Sequence, residues 1–416
     1  MTSSRIPAAH LDLLNTGRQI TIVLSFAGHL DHHAVKNALR ALLEVEPVLG
    51  CRLDREGKKA SWERREDLSS LDLLSMQDVP VPEDAVKRFA TDSRIDEPLV
   101  NALLIREEAG DTLCIRISHA VTDIPGALAL LPAMAELYSR YLAEPDFWPL
   151  EGEYSNRGAW QIIDSAGVIE TIGTIPAARP PEPVFRGPVG AGDPGEGSGG
   201  KGTGTERAGK GSGSAGEDIA MQGIGPERFR VIREAADSRG ATMTDVLLAA
   251  YFRALCLTLN PPEDRILPLE VSVDMRYVVP DEDFRRIANL SGAEFPVFAW
   301  DPDEQFRTTL TRAKEQMDAF DSGYPGLPFI LHTSVEAEDD LNQPADAFIP
   351  LLEYHNLHDD LVFGDLSVAS GYLVCHGKGP VLCASTFRDT LTLAASFPGN
   401  STEIVDAMVR ELYRFP

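Results

Sequence analysis

A run of glycine, proline and serine near the middle of the chain is the feature that most limits how this sequence can fold. Residues 180–217 contain five prolines, three of them at positions 180, 181 and 183, and the runs Gly-Ser-Gly-Gly-Lys-Gly-Thr-Gly and Lys-Gly-Ser-Gly-Ser. Such a composition cannot bury a hydrophobic core and is typical of a flexible linker. The segment therefore predicts an N-terminal lobe of residues 1–179, a linker of residues 180–217 and a C-terminal lobe of residues 218–416.

Apolar periodicity predicts both helices and strands in each half of the chain. The predicted helices cover about 31–44, 82–92, 127–141, 226–240, 244–259, 302–320 and a last segment from 401 or 402. The predicted strands cover 19–26, a run that ends at 118, 267–274 and several short segments within 361–397. This mixture indicates an α/β or α+β fold in both lobes.

His119 and Asp123 are the residues whose spacing points most directly to chemistry. The alternating apolar residues Leu113, Ile115 and Ile117 predict a strand with one buried face, and the strand ends next to His119. A histidine at this position is well placed to accept a proton at neutral pH. Taken alone, however, the pattern His-x-x-x-Asp is more typical of a histidine that is satisfied within a core than of a catalytic one.

A metal site at His119 and Asp123 is a second alternative, because two ligands four residues apart share one face of a helix. The proline at position 125 argues against it, since the residue before a proline avoids helical geometry. No third ligand is indicated by spacing. We therefore predict no bound metal.

The order strand, His-x-x-x-Asp, turn and helix resembles the active-site segment of the thioester-dependent acyltransferase superfamily. This superfamily includes chloramphenicol acetyltransferase, condensation domains, wax ester synthases and plant acyltransferases. Residues 38–44 and 47–52 look like the first helix and following turn of condensation domains, and 240–251 are similar to the long helix that opens their second lobe. Residues 269–276 resemble a family strand that ends in an arginine, and the sequence from Asn289 onward resembles a short asparagine-containing turn.

The resemblance implies a fold of two chloramphenicol-acetyltransferase-like lobes. Each lobe would be a mixed sheet flanked by helices, and the lobes would be arranged as a V around a central tunnel. One mouth of the tunnel would take an acyl thioester, on coenzyme A or on an acyl-carrier protein. The other mouth would take a hydroxyl or amine acceptor. No permanently bound cofactor is implied.

The same resemblance assigns roles to individual residues. His119 would be the general base that takes a proton from the acceptor, while Asp123 and Arg276 would form an ion pair that supports the motif. Four further residues are candidates for substrate binding: Ser118, Gly126, Asn289 and His355. His355 lies in a stretch that is also typical of a solvated polar loop.

Two departures from the family pattern concern the residues around His119. The family motif is commonly His-His-x-x-x-Asp-Gly, whereas Ser118 replaces the first histidine here and Ile124 follows Asp123. A catalytically silent relative that binds an acyl ligand or a partner protein therefore remains an alternative. A transferase of the wax ester type, which uses a lipid alcohol, is a further alternative.

Composition excludes several other classes of function. The formal charge of −26 disfavours nucleic acid and anionic membrane surfaces as partners. No apolar run reaches the roughly 18 residues of a transmembrane helix. The first residues lack the pattern of a signal peptide, so a cytoplasmic location is expected. The five scattered cysteines form no Cys-x-x-Cys pair and predict no disulfide framework.

Overall fold

Two six-stranded mixed sheets form the framework of the protein. The computed structural model describes residues 5–55, 59–79, 81–92, 98–152, 157–159, 163–164, 167, 177–186, 219–261, 265–278, 287–321, 323–335, 347–377 and 379–415. Helices flank both sheets, which confirms the predicted fold class.

The first sheet is antiparallel except at one edge. In spatial order it contains β16 (Val362–Phe363), β17 (Leu366–His376), β2 (Gln19–Phe26), β7 (Asp111–Ser118), β6 (Val100–Arg106) and β5 (Leu74–Asp78). Only β5 and β6 run parallel to each other within this sheet.

The second sheet combines parallel and antiparallel pairs. In spatial order it contains β12 (Ser291–Glu294), β11 (Glu270–Asp274), β15 (Leu351–Asn356), β18 (Val381–Phe387), β19 (Thr390–Ser396) and β9 (Ile219–Ile224). The pairs β11–β15 and β15–β18 are parallel, and the other pairs are antiparallel.

Shorter strands form three small sheets beside the main ones. These strands are β1 (Arg5–Pro7), β3 (Cys51–Asp54) and β4 (Ser61–Arg64) in one sheet, β10 (Ile266–Pro268) with β13 (Val297–Ala299), and β8 (Phe185–Arg186) with β14 (Ala347–Phe348).

The described helices bury apolar residues in the cores of the protein. They are α1 (His10–Leu14), α2 (His32–Val45), α3 (Pro82–Thr91), α4 (Ile124–Ala143), α5 (Pro226–Asp237), α6 (Met243–Leu259), α7 (Phe306–Asp321), α8 (Leu327–Val335) and α9 (Ser401–Arg414). Helices α2 and α4 share a core with one face of the first sheet, while α3 packs on its other face. Helices α5, α6, α7 and α9 share a second core with the second sheet.

Local sequence signals explain where several helices begin and end. Asp31 caps α2 by accepting a hydrogen bond from the backbone N–H of Ala34 at 2.8 Å. Thr242 and Asp245 form a reciprocal capping box at the start of α6. Gly240, which follows α5, has a φ of 61° that glycine adopts without strain. None of the described helices has both the length and the apolarity needed to cross a membrane.

The predicted strand 267–274 is divided between two sheets. Its first part, β10, pairs with β13, and its second part, β11, enters the second sheet. Pro268 has no N–H with which to continue a ladder, and the chain leaves the small sheet at this point. The strand prediction was therefore wrong in treating the segment as one element.

The boundary between the lobes also differs from the simple division of the chain into two halves. Strand β17, from the predicted C-terminal lobe, pairs with β2 in the first sheet along eight registered residue pairs. Within the predicted linker, Phe185 is buried in the second core, because β8 pairs with β14. Residues 187–217 of that linker lie outside the described residues.

Candidate active site

His119 lies at the carboxyl end of β7, next to the seam between the two sheets. Its backbone N–H donates to the carbonyl oxygen of Arg18 at 3.0 Å, which extends the β2–β7 pairing by one step. The side chain is half-buried and lines a cavity between the lobes. The end of β7 therefore positions the imidazole where the two lobes meet.

The cavity beside His119 is small, with a volume of about 30 Å³. One wall comes from the first sheet and its ends, namely Arg18, Gln19, His119, Cys375 and His376. The other wall comes from the second sheet and the neighbouring turns, namely Ile349, Leu351, Glu353, Gly377, Gly379, Pro380 and Val381. This volume is enough for a water molecule or two, and it is well below the roughly 300 Å³ of a typical ligand pocket.

The surroundings of His119 favour its neutral form. Burial lowers the pKa of the imidazole below its usual value of 6.5, and the positive charge of Arg18 lowers it further. The carboxylate of Glu353 acts in the opposite direction but does not outweigh them. The ring is therefore uncharged at neutral pH and able to accept a proton.

Asn289 contacts the His119 ring from the side of the second lobe. Its Oδ1 lies 3.2 Å from Nδ1 of His119 and also accepts a hydrogen bond from Nδ2 of Asn15 at 3.3 Å. Its Nδ2 donates to Oδ1 of Asp12 at 3.1 Å and to the carbonyl oxygen of Ala120 at 3.2 Å. Asn289 itself is buried.

Asp12, in helix α1, is the centre of a buried polar network. It receives hydrogen bonds from Nε1 of Trp62 at 2.8 Å and from Nε and Nη2 of Arg157, both at 3.1 Å. Arg157 also donates to the carbonyl oxygens of Ile287 and Val121 at 2.6 Å. Asp12 and Arg157 are both almost completely buried, so each charge needs a partner, and each compensates the other.

Asp123 lies behind the motif rather than at the cavity. Its carboxylate accepts from Nη2 and Nη1 of Arg276 at 2.8 and 3.0 Å. It also accepts from the backbone N–H of Gly126 and Leu290 at 3.0 and 2.7 Å, and from the Ser291 hydroxyl at 3.0 Å. The structure thus brings together the two residues for which an ion pair was expected.

These contacts explain the electrostatics of Asp123. Burial by itself would raise the pKa of the carboxyl group. The Arg276 guanidinium and the backbone hydrogen bonds from Gly126 and Leu290 outweigh burial and hold that pKa below its usual value. Asp123 is therefore ionised, and it caps the N-terminus of α4.

Gly126 fills a position that has no room for a side chain. A Cβ atom there would lie 2.1 Å from Oγ1 of Thr122 and 3.0 Å from Nη2 of Arg276. Gly126 therefore permits the close approach of Arg276 to Asp123. The displaced glycine of the motif has a structural explanation that does not involve substrate.

The four candidate substrate-binding residues are not among the described residues that line the cavity at His119. Gly126 and Asn289 are buried behind the motif, and Ser118 is half-buried at the end of β7. Nε2 of His355 lies 2.8 Å from Oε2 of Glu353, and Glu353 does line the cavity. Gly126 and Asn289 therefore lie away from the cavity, and their contact with substrate stays a prediction.

Sequence reasoning missed four charged residues around His119. Arg18 and Glu353 face the cavity, while Asp12 and Arg157 hold Asn289 in place. Leu351 and Glu353, alternate residues of β15, both line the cavity, but the burial along this strand does not alternate and gives no clear period-2 signal. Asp12 and Arg157 carry no local signal, because their partners are far away in the sequence.

Comparisons with known proteins identify the fold. No protein-family model matches the sequence, and no curated protein matches it either. Among solved structures, the first condensation domain of the calcium-dependent antibiotic synthetase, in complex with a substrate analogue, is similar with a TM-score of 0.69 and 17% identity, over 99% of this chain and 96% of that one.

Two further solved structures have the same architecture. Trichothecene 15-O-acetyltransferase TRI3 from Fusarium sporotrichioides gives a TM-score of 0.68 at 11% identity, over 99% of this chain and 95% of that one. Polyketide synthase associated protein 5 from Mycobacterium tuberculosis gives a TM-score of 0.65 at 13% identity, over 98% of this chain and 97% of that one. The chain therefore has the two-lobed, chloramphenicol-acetyltransferase-like fold that condensation domains and this acetyltransferase share.

Proposed function

We propose that the protein is an acyltransferase with His119 as its general base. The acyl group would move from a thioester donor, either acyl-coenzyme A or an acyl-carrier protein, to a hydroxyl or amine acceptor. The observation that carries this proposal is a neutral imidazole that lines a cavity between the two lobes. The fold supports it, because solved proteins with this fold include an acetyltransferase.

In the proposed reaction, His119 removes the proton from the acceptor as its oxygen or nitrogen attacks the thioester carbonyl. The C–S bond then breaks, and the leaving thiolate takes up the proton from the His119 imidazolium, which restores the neutral base. A positioned base contributes about 10²–10⁴ in rate. The cation of Arg18 and the carboxylate of Glu353 flank the reacting position from opposite walls of the cavity.

The narrow cavity places a condition on this mechanism. Its volume of about 30 Å³ does not admit an acyl thioester together with an acceptor. Substrate binding would therefore require the walls of the cavity, which include Gly377 and Gly379, to separate.

The test is product formation from a panel of acyl-coenzyme A donors and acyl-carrier proteins with alcohols and amines. Products would be detected by liquid chromatography and mass spectrometry. We expect the His119→Ala variant to lose about 10²–10⁴ in rate. The exposed His33 offers a matched control, and His33→Ala should react like the wild type. Equal rates for His119→Ala and the wild type would refute the role of His119.

A protein that binds an acyl ligand without turning it over is the second candidate. The serine at position 118, where the family motif commonly has its first histidine, favours it. Wild-type protein that binds acyl thioesters in calorimetry but yields no product with any acceptor would support this candidate. A lipid alcohol as acceptor, as in wax ester synthesis, would appear in the same panel as a preference for long-chain alcohols.

A further inference from the structure

We propose that Asn289 is a positioning residue that holds His119 in its Nδ1–H tautomer, and that Asp12 and Arg157 fix the Asn289 amide for this role. The inference rests on the proposed function, because a general base needs one defined basic nitrogen. It concerns how the second lobe prepares a residue of the first lobe for proton transfer.

The orientation of the Asn289 amide follows from its partners. Its Nδ2 lies within hydrogen-bond distance of the Asp12 carboxylate and of the carbonyl oxygen of Ala120. Both of these groups accept hydrogen bonds and cannot donate them, since Asp12 is paired with Arg157 as a carboxylate. The amide nitrogen must therefore point to Asp12, and the amide oxygen must point to His119.

The orientation of Asn15 leads to the same conclusion. Its Oδ1 accepts from Nη1 of Arg18 at 3.3 Å, and a guanidinium only donates. Nδ2 of Asn15 is thus the atom that donates to Oδ1 of Asn289. Oδ1 of Asn289 is an acceptor on both sides.

An acceptor at 3.2 Å from Nδ1 of His119 selects one tautomer of the neutral ring. Nδ1 must carry the hydrogen, and Nε2 is left with the lone pair that takes the proton in catalysis. The hydrogen bond made by one ring nitrogen sets the state of the other, as in the histidine of a catalytic triad. Asn289 would play the orienting part with a neutral amide rather than a carboxylate.

The residues that orient the His119 ring come from segments far apart in the chain, so their arrangement depends on the whole fold. His119 follows strand β7, Asn289 precedes strand β12, and Asp12 lies in helix α1. Arg157 connects them further, because it donates to the carbonyl oxygens of Val121 and Ile287, which lie close to His119 and Asn289 in sequence. The ring is therefore oriented only when these distant segments are packed together.

The experiment measures the tautomer directly, using protein labelled with ¹⁵N in its histidines. Two-bond ¹H–¹⁵N correlation spectra distinguish protonated Nδ1 from protonated Nε2, and a His119→Gln variant assigns the signal by its absence. We expect wild-type His119 to be the Nδ1–H form at pH 7.5. The ring of His119 also has a hydrogen bond to the backbone of His119 itself, which the Asn289→Ala variant keeps. In this variant we therefore expect the preference for the Nδ1–H form to weaken and kcat to fall about 10- to 100-fold, with KM nearly unchanged.

Asn101 provides a matched control. It is partly buried and its Oδ1 accepts from Nε of Arg116 at 3.1 Å, so Asn101→Ala also removes an asparagine acceptor. This variant should keep the wild-type His119 signal and kcat. A purely structural role of Asn289 would lower the melting temperature without changing the His119 tautomer.

The outcomes separate this inference from the proposed function. An Nε2–H form in the wild type would overturn the inference even if Asn289→Ala did not fold. A folded Asn289→Ala variant with an unchanged His119 tautomer would also overturn it. If the tautomer behaves as expected but no thioester reacts, the positioning of the ring by Asn289 is supported and the acyltransferase function is refuted.

Discussion

The Asp123 carboxylate and the Arg276 guanidinium, 153 positions apart in sequence, form a bidentate ion pair between the two lobes. The pair connects the first turn of α4 with the turn that follows β11. Each charge is largely withdrawn from water, so each depends on the other for compensation.

Replacement of Asp123 by Asn should therefore lower both stability and activity. The change leaves the Arg276 charge without its main buried partner, and we expect the free energy of unfolding to fall by about 3–5 kcal/mol. Urea unfolding followed by circular dichroism would measure this loss. A loss of rate with undiminished stability would contradict a supporting role for Asp123.

Asp274 is the matched control for this prediction. It also contacts Arg276, at 2.9 Å, but its side chain is 41% exposed. Because water and salt screen an exposed pair, Asp274→Ala should cost less than about 1 kcal/mol.

Replacement of Gly126 by Ala should destabilise the motif by about 1–3 kcal/mol, because the new methyl group would overlap the Thr122 hydroxyl and press on Arg276. Thermal melting would measure the effect. The double change Gly126→Ala and Thr122→Ala should recover part of the loss, since it removes the closest contact. Gly223→Ala is the control, because a Cβ at Gly223 meets open space. Equal melting temperatures for both alanine variants would disprove the steric explanation.

The rate of acyl transfer should fall at acid pH, and the acid limb of the pH–rate profile should lie below pH 6.5. The pKa of His119 is lowered below its usual value of 6.5, so the basic form predominates at pH 7 and is lost as the pH falls through that lowered value. The same depressed pKa should reduce the free energy of unfolding below about pH 6.5, where the unfolded chain binds the proton more readily.

Two substitutions should move the acid limb of kcat/KM in opposite directions. Removing the positive charge with Arg18→Gln should raise the His119 pKa and shift the limb to higher pH. Removing the negative charge with Glu353→Gln should lower the pKa and shift the limb to lower pH. Profiles of kcat/KM against pH for the three proteins would measure both shifts. A limb that stays in place in both variants would show that His119 is not the titrating base.

The isolated segment 1–179 should not form a stable lobe. It lacks β17, so β2 would become an edge strand with eight unpaired positions beside a hydrophobic core. We expect this fragment to aggregate in size-exclusion chromatography, and a version with residues 360–378 attached should aggregate less. A monomeric 1–179 fragment with a cooperative thermal transition would contradict the prediction.

Elements with a strong local pattern were predictable from the sequence. The strand Gln19–Phe26 matches the predicted range, and α2 (His32–Val45) lies within one residue of the predicted helix 31–44. The helix predicted over 244–259 matches α6, whose residues from 245 to 256 are buried. In these segments the periodicity of burial coincides with the geometry of a single element, so short-range information is sufficient.

The sequence by itself determined which residue would be the candidate base, because His119 and Asp123 lie in one short segment after a strand. Only the tertiary structure decided how that base is held. Asn289, Asp12 and Arg157 come from three distant parts of the chain, and the pairing of β17 with β2 crosses the apparent lobe boundary. The physical reason is a difference in range. The apolar pattern that predicts a helix or a strand extends over a few neighbouring residues. The partner of a buried polar group is instead selected by packing between elements far apart in sequence.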